Sequence, residues 1–343
     1  MKAARLHDYG QELVVEEIDE PKVEGPFDVI VKVGGAGLCR TDLHIVEGQW
    51  RDRVQVELPY TLGHENAGWV AEIGSAVTNT AVGDAVIVHP LVSCGFCRAC
   101  RAGDDMHCDN GLFPGISADG GFADLLRTSA RSVVKLDPGL EPKDVAALAD
   151  AGLTAYHAVK KAAGALHPGT RAVVIGAGGL GHIGVQCLRA LTPAEIVVLD
   201  SSEPALELAR ELGAHQTVLV DGNHVDAVRE LTDGAGAEAV IDFVGEGRAV
   251  DDGIRMLRRA GTYYVVGYGG TLEVPTIEII STEVSFVGNL VGTYNDLAEL
   301  MTLAAQDQVR LQTTTYPLEA IVDAVDDLSS GRVRGRGILV PEG

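Results

Sequence analysis

Gly176-Ala177-Gly178-Gly179-Leu180-Gly181 reads G-x-G-x-x-G. It follows the apolar run Arg171-Ala172-Val173-Val174-Ile175 and leads into a helical pattern over 180–191. Strand, tight turn and helix form the context this motif requires, and they commit the region to a parallel sheet crossed by helices. The first glycine permits the turn, the second lets a pyrophosphate approach the backbone, and the third lets helix and strand pack closely. Free N–H groups at the helix start then face the phosphates. Asp200 ends the next strand, over 195–199, nineteen residues after Gly181. An acid there accepts from a ribose 2′-OH and repels a 2′-phosphate, so NAD is favoured and NADP remains possible. The alternative is a glycine-rich turn that holds no ligand.

Alternation of strand and helix continues from about 150 to 286. Ser202-Glu203-Pro204 opens a helix with a capping hydroxyl and an early proline, and Gly213 stops it. The stretches 217–220, 239–243 and 262–266 read as further strands. Residues 1 to about 148 differ: short apolar runs such as Val29-Ile30-Val31-Lys32-Val33 lie between turns. From 287 the pattern is mixed and ends in the apolar strand 338–340. With 343 residues, 46% of them hydrophobic, the chain can bury the cores of two domains.

The formal charge is −22 and the pI about 4.7, which excludes general affinity for nucleic acid or an anionic membrane. Only seven lysines occur and none follows Lys161. Such a surface suits a salt-rich cytoplasm, the alternative being an ordinary acidic enzyme that prefers arginine. The start of the chain lacks the apolar segment of a secretory leader, and no apolar run is long enough to span a membrane, so the expected location is cytoplasmic.

A reducing compartment disfavours disulfides, so the six cysteines need another account. Cys94, Cys97, Cys100 and Cys108 have the spacing C-x2-C-x2-C-x7-C. Four thiolates in one short loop match a closed structural zinc site, which would staple a lobe at about 90–115. An iron–sulfur cluster is the alternative; the long last gap and the missing Cys-Pro weigh against it. Cys187 lies on the helix after the glycine motif and reads as core packing.

Cys39 remains, in Cys39-Arg40-Thr41-Asp42-Leu43-His44, with Gly63-His64-Glu65 downstream. A catalytic zinc needs three protein ligands and an open position. Cys39 and His64 offer a thiolate and an imidazole, and the third ligand must come from far along the chain. Asp150, in Leu148-Ala149-Asp150-Ala151-Gly152-Leu153-Thr154, stands at the change of texture. Taken singly, each is weak: a lone buried Cys is usually a small hydrophobe, and a lone His is more often a hydrogen-bonded core residue than a ligand.

Together, and in this order, these motifs resemble the zinc-dependent medium-chain alcohol dehydrogenases over nearly the whole chain, with closest likeness to bacterial and archaeal secondary-alcohol dehydrogenases. The resemblance implies an α/β protein: a mostly β GroES-like catalytic domain at 1–150 and 287–343, interrupted by a Rossmann domain at 151–286. It implies two zinc ions per chain. Cys39, His64 and Asp150 would hold the catalytic one, with Glu65 beside it as an exchangeable ligand, and Asp42 would orient His64. Thr41 would take the alcohol proton and pass it through the ribose hydroxyl to His44, a residue type suited to relays near neutral pH. Thr154 would pack on the nicotinamide, and Arg336, or Arg334 by a slip of alignment, would reach the pyrophosphate. Gly176, Gly178, Gly179, Leu180, Gly181 and Asp200 would complete the cofactor site.

One departure is a carboxylate where the best-known members have a second cysteine. A thiolate plus a carboxylate still neutralises zinc, and the harder oxygen leaves a competent Lewis acid. Gln49, Trp50, His89, Pro90 and Leu290 match pocket-lining regions by resemblance alone, and Trp50 is equally well core packing. The implied activity is reversible hydride transfer between a primary or secondary alcohol and its aldehyde or ketone. A polyol or sugar dehydrogenase is the nearest alternative, and a non-catalytic zinc- and NAD-binding protein is the alternative from another class. Residues 285–293 would form an exposed edge strand that pairs with a second subunit, giving a homotetramer built as a dimer of dimers.

Overall fold

The computed structural model describes residues 1–54 and 56–342. The chain divides into two compact units. The first comprises Met1–Leu153, Thr293–Ala305 and Leu311–Gly343, the second Thr154–Gly292 and Gln306–Arg310. The change of texture puts the boundaries at 150 and 287. The observed return to the first unit falls later, at Thr293, because Ser285–Gly288 is a strand of the second unit's sheet.

In the second unit, strands Gln216–Leu219, Glu195–Asp200, Arg171–Ile175, Ala237–Asp242, Leu257–Val265 and Ser285–Gly288 lie side by side in that order, all parallel. Parallel strands covered on both faces read as continuous apolar runs, which is why Ala172-Val173-Val174-Ile175 was so legible. The chain builds outward from Arg171–Ile175 to one side, then returns to its other side with Ala237–Asp242. That reversal is a topological switch point, the place where open α/β sheets bind ligands. Val173, Val197, Leu199, Val240, Met256 and Tyr263 form the buried core beside it.

Some boundaries differ from expectation. Leu180 caps the fingerprint helix, which spans Gly181–Leu191. Cys187 is fully buried on that helix, and burial pushes its thiol up to about 12. The helix Glu203–Glu211 carries its proline in the first turn, but the Ser202 hydroxyl makes no cap bond; the Ser202 N–H donates to Asp200 instead. The strand read at 262–266 begins at Leu257, and its charged Arg258 and Arg259 hide it from a search for apolar runs. The edge strand ends at Gly288, short of the expected 293.

The first unit is built on the long strand Asp28–Leu38. Glu65–Ile73 pairs antiparallel along one side of it. On the other side Leu125–Ser129 pairs with its beginning and the C-terminal strand Arg336–Val340 with its end. Thr313–Pro317, Ala85–Val88 and Val133–Lys135 complete seven strands. A second, three-stranded sheet joins Lys2–Leu6 to Val14–Glu17 and Tyr60–Thr61. Among the described residues, no helix is long and apolar enough to cross a membrane.

The fingerprint glycines have separable structural roles. Gly176 has φ +88°, which L side chains rarely adopt. A Cβ on Gly181 would lie 1.8 Å from the Gly176 carbonyl oxygen, whereas one on Gly178 would meet nothing within 4 Å. Gly181→Ala is therefore expected to destabilise by about 1–3 kcal/mol through overpacking, and Gly178→Ala to leave stability unchanged. Thermal melts of the two variants check the contrast.

Candidate active site

Strand Asp28–Leu38 ends one residue before Cys39, which caps the helix Arg40–Val46. The Cys39 N–H donates to Asp42 Oδ2 at 2.8 Å, so the first turn is closed by a carboxylate within the motif itself. His64 precedes strand Glu65–Ile73, whose Glu65 pairs with Gly37 in the antiparallel register. Two strand ends thus bring Cys39 and His64 together. A Cβ at Gly37 would fall 2.0 Å from Glu65 Oε2, so only glycine leaves room for that carboxylate. Asp150 enters from the break between the 3₁₀ turn Ala146–Ala149 and the helix Ala151–Ala163.

The Cys39 sulfur, one His64 nitrogen and one carboxylate oxygen each from Glu65 and Asp150 lie within 4.8 Å of one another. His64 Nε2 is 3.5 Å from Asp150 Oδ2. Its Nδ1 is 3.3 Å from Asp42 Oδ1, close enough for charge attraction but not aligned as a hydrogen bond. Burial alone would lower the His64 pKa; the Asp42 and Asp150 carboxylates and the Cys39 sulfur more than reverse this and hold it well above the ordinary value. Glu65 Oε2 and Asp150 Oδ1 are buried without a donor. Soft sulfur, imidazole and carboxylate around unsatisfied buried oxygens fit a divalent zinc ion.

Arg336 completes this cluster. It is buried, and its guanidinium donates to Glu65 Oε1, which also accepts from the Ala151 N–H at 3.1 Å. The resemblance sends Arg336 to a pyrophosphate; the structure gives it Glu65, a partner 271 residues away that no local motif signals. Arg334 is exposed. Burial pushes the Glu65 carboxyl up, and the Arg336 charge opposes that rise.

Thr41 and His44 lie three residues apart on the helix Arg40–Val46, hence on one face, and both are half-buried. Thr154 is buried in the helix Ala151–Ala163. Phe113, which no motif singles out, stands with its ring edge-on to His64, the centroids 6.1 Å apart. It follows Cys108 by five residues, the only clue its position offers. Trp50 packs against the first unit's core, as the structural reading of that residue has it. His89 is buried, with Nδ1 3.2 Å from the Leu91 carbonyl oxygen, and Leu290 is exposed.

Cys94, Cys97, Cys100 and Cys108 also converge within 4.8 Å, and none is in a disulfide. The N–H groups of Phe96 and Cys97 point at the Cys94 sulfur, each at 3.4 Å, and bring its thiol down to about 6. Burial pushes Cys100 up to about 12. N–H donors aimed at clustered sulfurs suit thiolates held by a cation. In the second unit, Asp200 Oδ2 accepts from Ala177 N–H at 2.7 Å, which places the predicted ribose acid against the glycine loop.

Two metal-ligand clusters in one unit and a dinucleotide fingerprint in the other define a metal-dependent dehydrogenase. Residues 25–138 match the alcohol dehydrogenase GroES-like domain, and 179–306 match the zinc-binding dehydrogenase domain. An NAD-dependent alcohol dehydrogenase of Sulfolobus acidocaldarius is 38% identical, the alignment covering 99% of both chains. An alcohol dehydrogenase of Geobacillus stearothermophilus is 34% identical over 99% of this chain and 98% of its own. The crystal structure of the alcohol dehydrogenase of Aeropyrum pernix superposes with a TM-score of 0.96 at 50% identity, covering 99% of this chain and 100% of that one. The chain belongs to the zinc-type medium-chain alcohol dehydrogenase family.

Removing Arg336 leaves Glu65 buried and uncompensated. Arg336→Ala is expected to destabilise the first unit by about 3–5 kcal/mol. Arg336→Ala combined with Glu65→Gln should recover part of that loss, as urea unfolding of both variants would measure.

Proposed function

We propose that the protein is a zinc- and NAD-dependent alcohol dehydrogenase that interconverts a primary or secondary alcohol with its aldehyde or ketone. The observation that carries this is the convergence of Cys39, His64, Glu65 and Asp150 at the end of the strand that leads into Thr41 and His44. Bound zinc supplies a Lewis acid that lowers the pKa of an alcohol, and bound NAD supplies the hydride acceptor.

Cys39, His64 and Asp150 would hold the catalytic zinc. The Cys39 thiolate and the Asp150 carboxylate together would balance its two charges, while Glu65 is balanced by Arg336. Glu65 Oε2, which has no hydrogen-bond partner among the described residues, could exchange in as a ligand. Asp42 orients His64 and closes the helix that carries the relay. The Thr41 hydroxyl would accept the proton leaving the alcohol, and His44, three residues along the same helix, would release it to solvent. The N–H groups from Gly176 to Gly181 would bind the pyrophosphate, Asp200 would accept from the ribose and favour NAD over NADP, and Thr154 would support the nicotinamide. Cys94, Cys97, Cys100 and Cys108 hold a second, structural zinc.

Two features go beyond catalysis. The net charge of −22 is read as adaptation to a salty cytoplasm. The edge strand Ser285–Gly288, with exposed Ile277 and Ile280 on the preceding helix Thr276–Thr282, supports pairing of subunits and a tetramer. Sedimentation and activity from low to molar KCl test both: a stable tetramer that gains activity with salt is expected, and a monomer with a flat salt profile would overturn them.

The central experiment counts zinc per chain and follows NADH absorbance with 2-propanol, ethanol and glucose. About two zinc ions and turnover of the simple alcohols are expected. Cys39→Ser should lose about one zinc and nearly all activity. Retained activity in Cys39→Ser, or turnover of glucose alone, would sink the proposal. In the same assay His44→Ala should flatten the pH dependence of hydride transfer.

A further inference from the structure

The second unit contains a buried acid that the proposed chemistry does not use. Asp242 ends the strand Ala237–Asp242 and is fully buried, as is Tyr263 on the neighbouring strand Leu257–Val265. Asp242 Oδ2 accepts from the Tyr263 hydroxyl at 2.5 Å. Its Oδ1 accepts from the N–H groups of Val244 and Gly245 at 2.8 and 3.0 Å. Its carbonyl oxygen accepts from Val266 and Gly267 at 3.1 and 2.9 Å, and Gly270 N–H closes onto the Gly245 carbonyl oxygen at 2.7 Å. One residue therefore gathers the turns at 243–247 and 266–270. A valine at this position would pair equally well in a parallel strand without the expense of burying a carboxylate. What the acid adds is the shape of the turns.

Those turns stand at the switch point. The strands flanking it are Arg171–Ile175 and Ala237–Asp242, and a ligand binds outside their carboxyl ends. Asp200 lies on the other neighbour of Arg171–Ile175 and marks the side of the adenosine ribose. The pyrophosphate belongs to the glycine turn between them, so the 243–247 turn faces the remaining half of the dinucleotide. It also touches the fingerprint directly. Phe243 N–H donates to the Ile175 carbonyl oxygen at 3.0 Å. A Cβ on Gly176 would lie 2.7 Å from Val244 Cγ2, and one on Gly184 would lie 2.7 Å from the Phe243 ring. The 243–247 turn is thus wedged between glycines on one side and pinned from below by Asp242.

We propose that Asp242 and Tyr263 are a positioning pair that holds the 243–247 turn as the wall of the nicotinamide half-site. This rests on the NAD-binding reading above. Burial and the Asp242 carboxylate push the Tyr263 phenol well above its ordinary pKa, so it stays a donor wherever the enzyme works.

The test compares a whole dinucleotide with its adenosine half on the full-length, zinc-loaded protein. NADH binding is read from the change in its fluorescence, and AMP binding from calorimetry. In Asp242→Asn the Kd for NADH is expected to rise about tenfold, and in Tyr263→Phe about threefold. The Kd for AMP should stay within about twofold in both, and KM for NAD should rise while KM for the alcohol does not. Equal weakening of AMP and NADH would show a purely structural role and overturn the proposal, as would unchanged NADH binding. If Asp242→Asn does not fold, the same comparison in Tyr263→Phe decides. Failure of the wild-type protein to bind NADH would instead overturn the NAD reading and the pair's role with it.

Discussion

The buried ion pair between Glu65 and Arg336 sets the frame on which the first unit's site is built. Each residue opens a strand, and the two strands flank the end of Asp28–Leu38 from opposite sides. The absence of a side chain at Gly37 gives the Glu65 carboxylate its place between them. A lone buried carboxylate at that point would be ruinous, and so would a lone guanidinium. Paired, they fix the strand end that delivers Cys39, and Glu65 Oε1 also receives the Ala151 N–H beside Asp150. The ligands converge because their neighbours are tied to one ion pair.

That frame also explains the electrostatics of the cluster. Cys39, Glu65, Asp150 and Asp42 bring four acidic groups around one imidazole and one guanidinium. A divalent cation would offset most of this imbalance, with Arg336 paired to Glu65 and His64 attracted to Asp42. The acidic excess of the whole chain, −22, is a separate matter. It is spread over exposed residues, where screening by salt sets its weight.

The four-cysteine cluster was legible from its spacing alone, whereas the clustering of Cys39, His64 and Asp150 was legible only through the family resemblance, since each carries little signal on its own. The glycine turn was legible from its own spacing, and the parallel strands because both their faces are covered. Arg336 as the partner of Glu65 was not, since the contact joins positions 271 residues apart and neither neighbourhood names the other. Phe113 was hidden similarly: an aromatic after a cysteine loop gives no sign that it will stand against His64. The strand Leu257–Val265 was misplaced at its start because Arg258 and Arg259 break the apolar run. Ser202 caps its helix by position without a side-chain bond, a detail of rotamer that residue type does not carry.

The placement of Arg336–Val340 against Asp28–Leu38 bears on the order of events during synthesis. The second unit is almost continuous in the chain, and its six-stranded sheet is complete once Gly288 has emerged. The first unit must wait, because the strand that flanks the end of Asp28–Leu38 is made only after the second unit's sheet. Until then Glu65 has no counter-charge, and Cys39, His64 and Asp150 lack the closed strand end that gathers them. Loop closure over some three hundred residues adds little entropy beyond that of a shorter loop but makes the step late and non-local. A nascent chain thus holds the complete sheet of its nucleotide domain while its metal-binding half is still open.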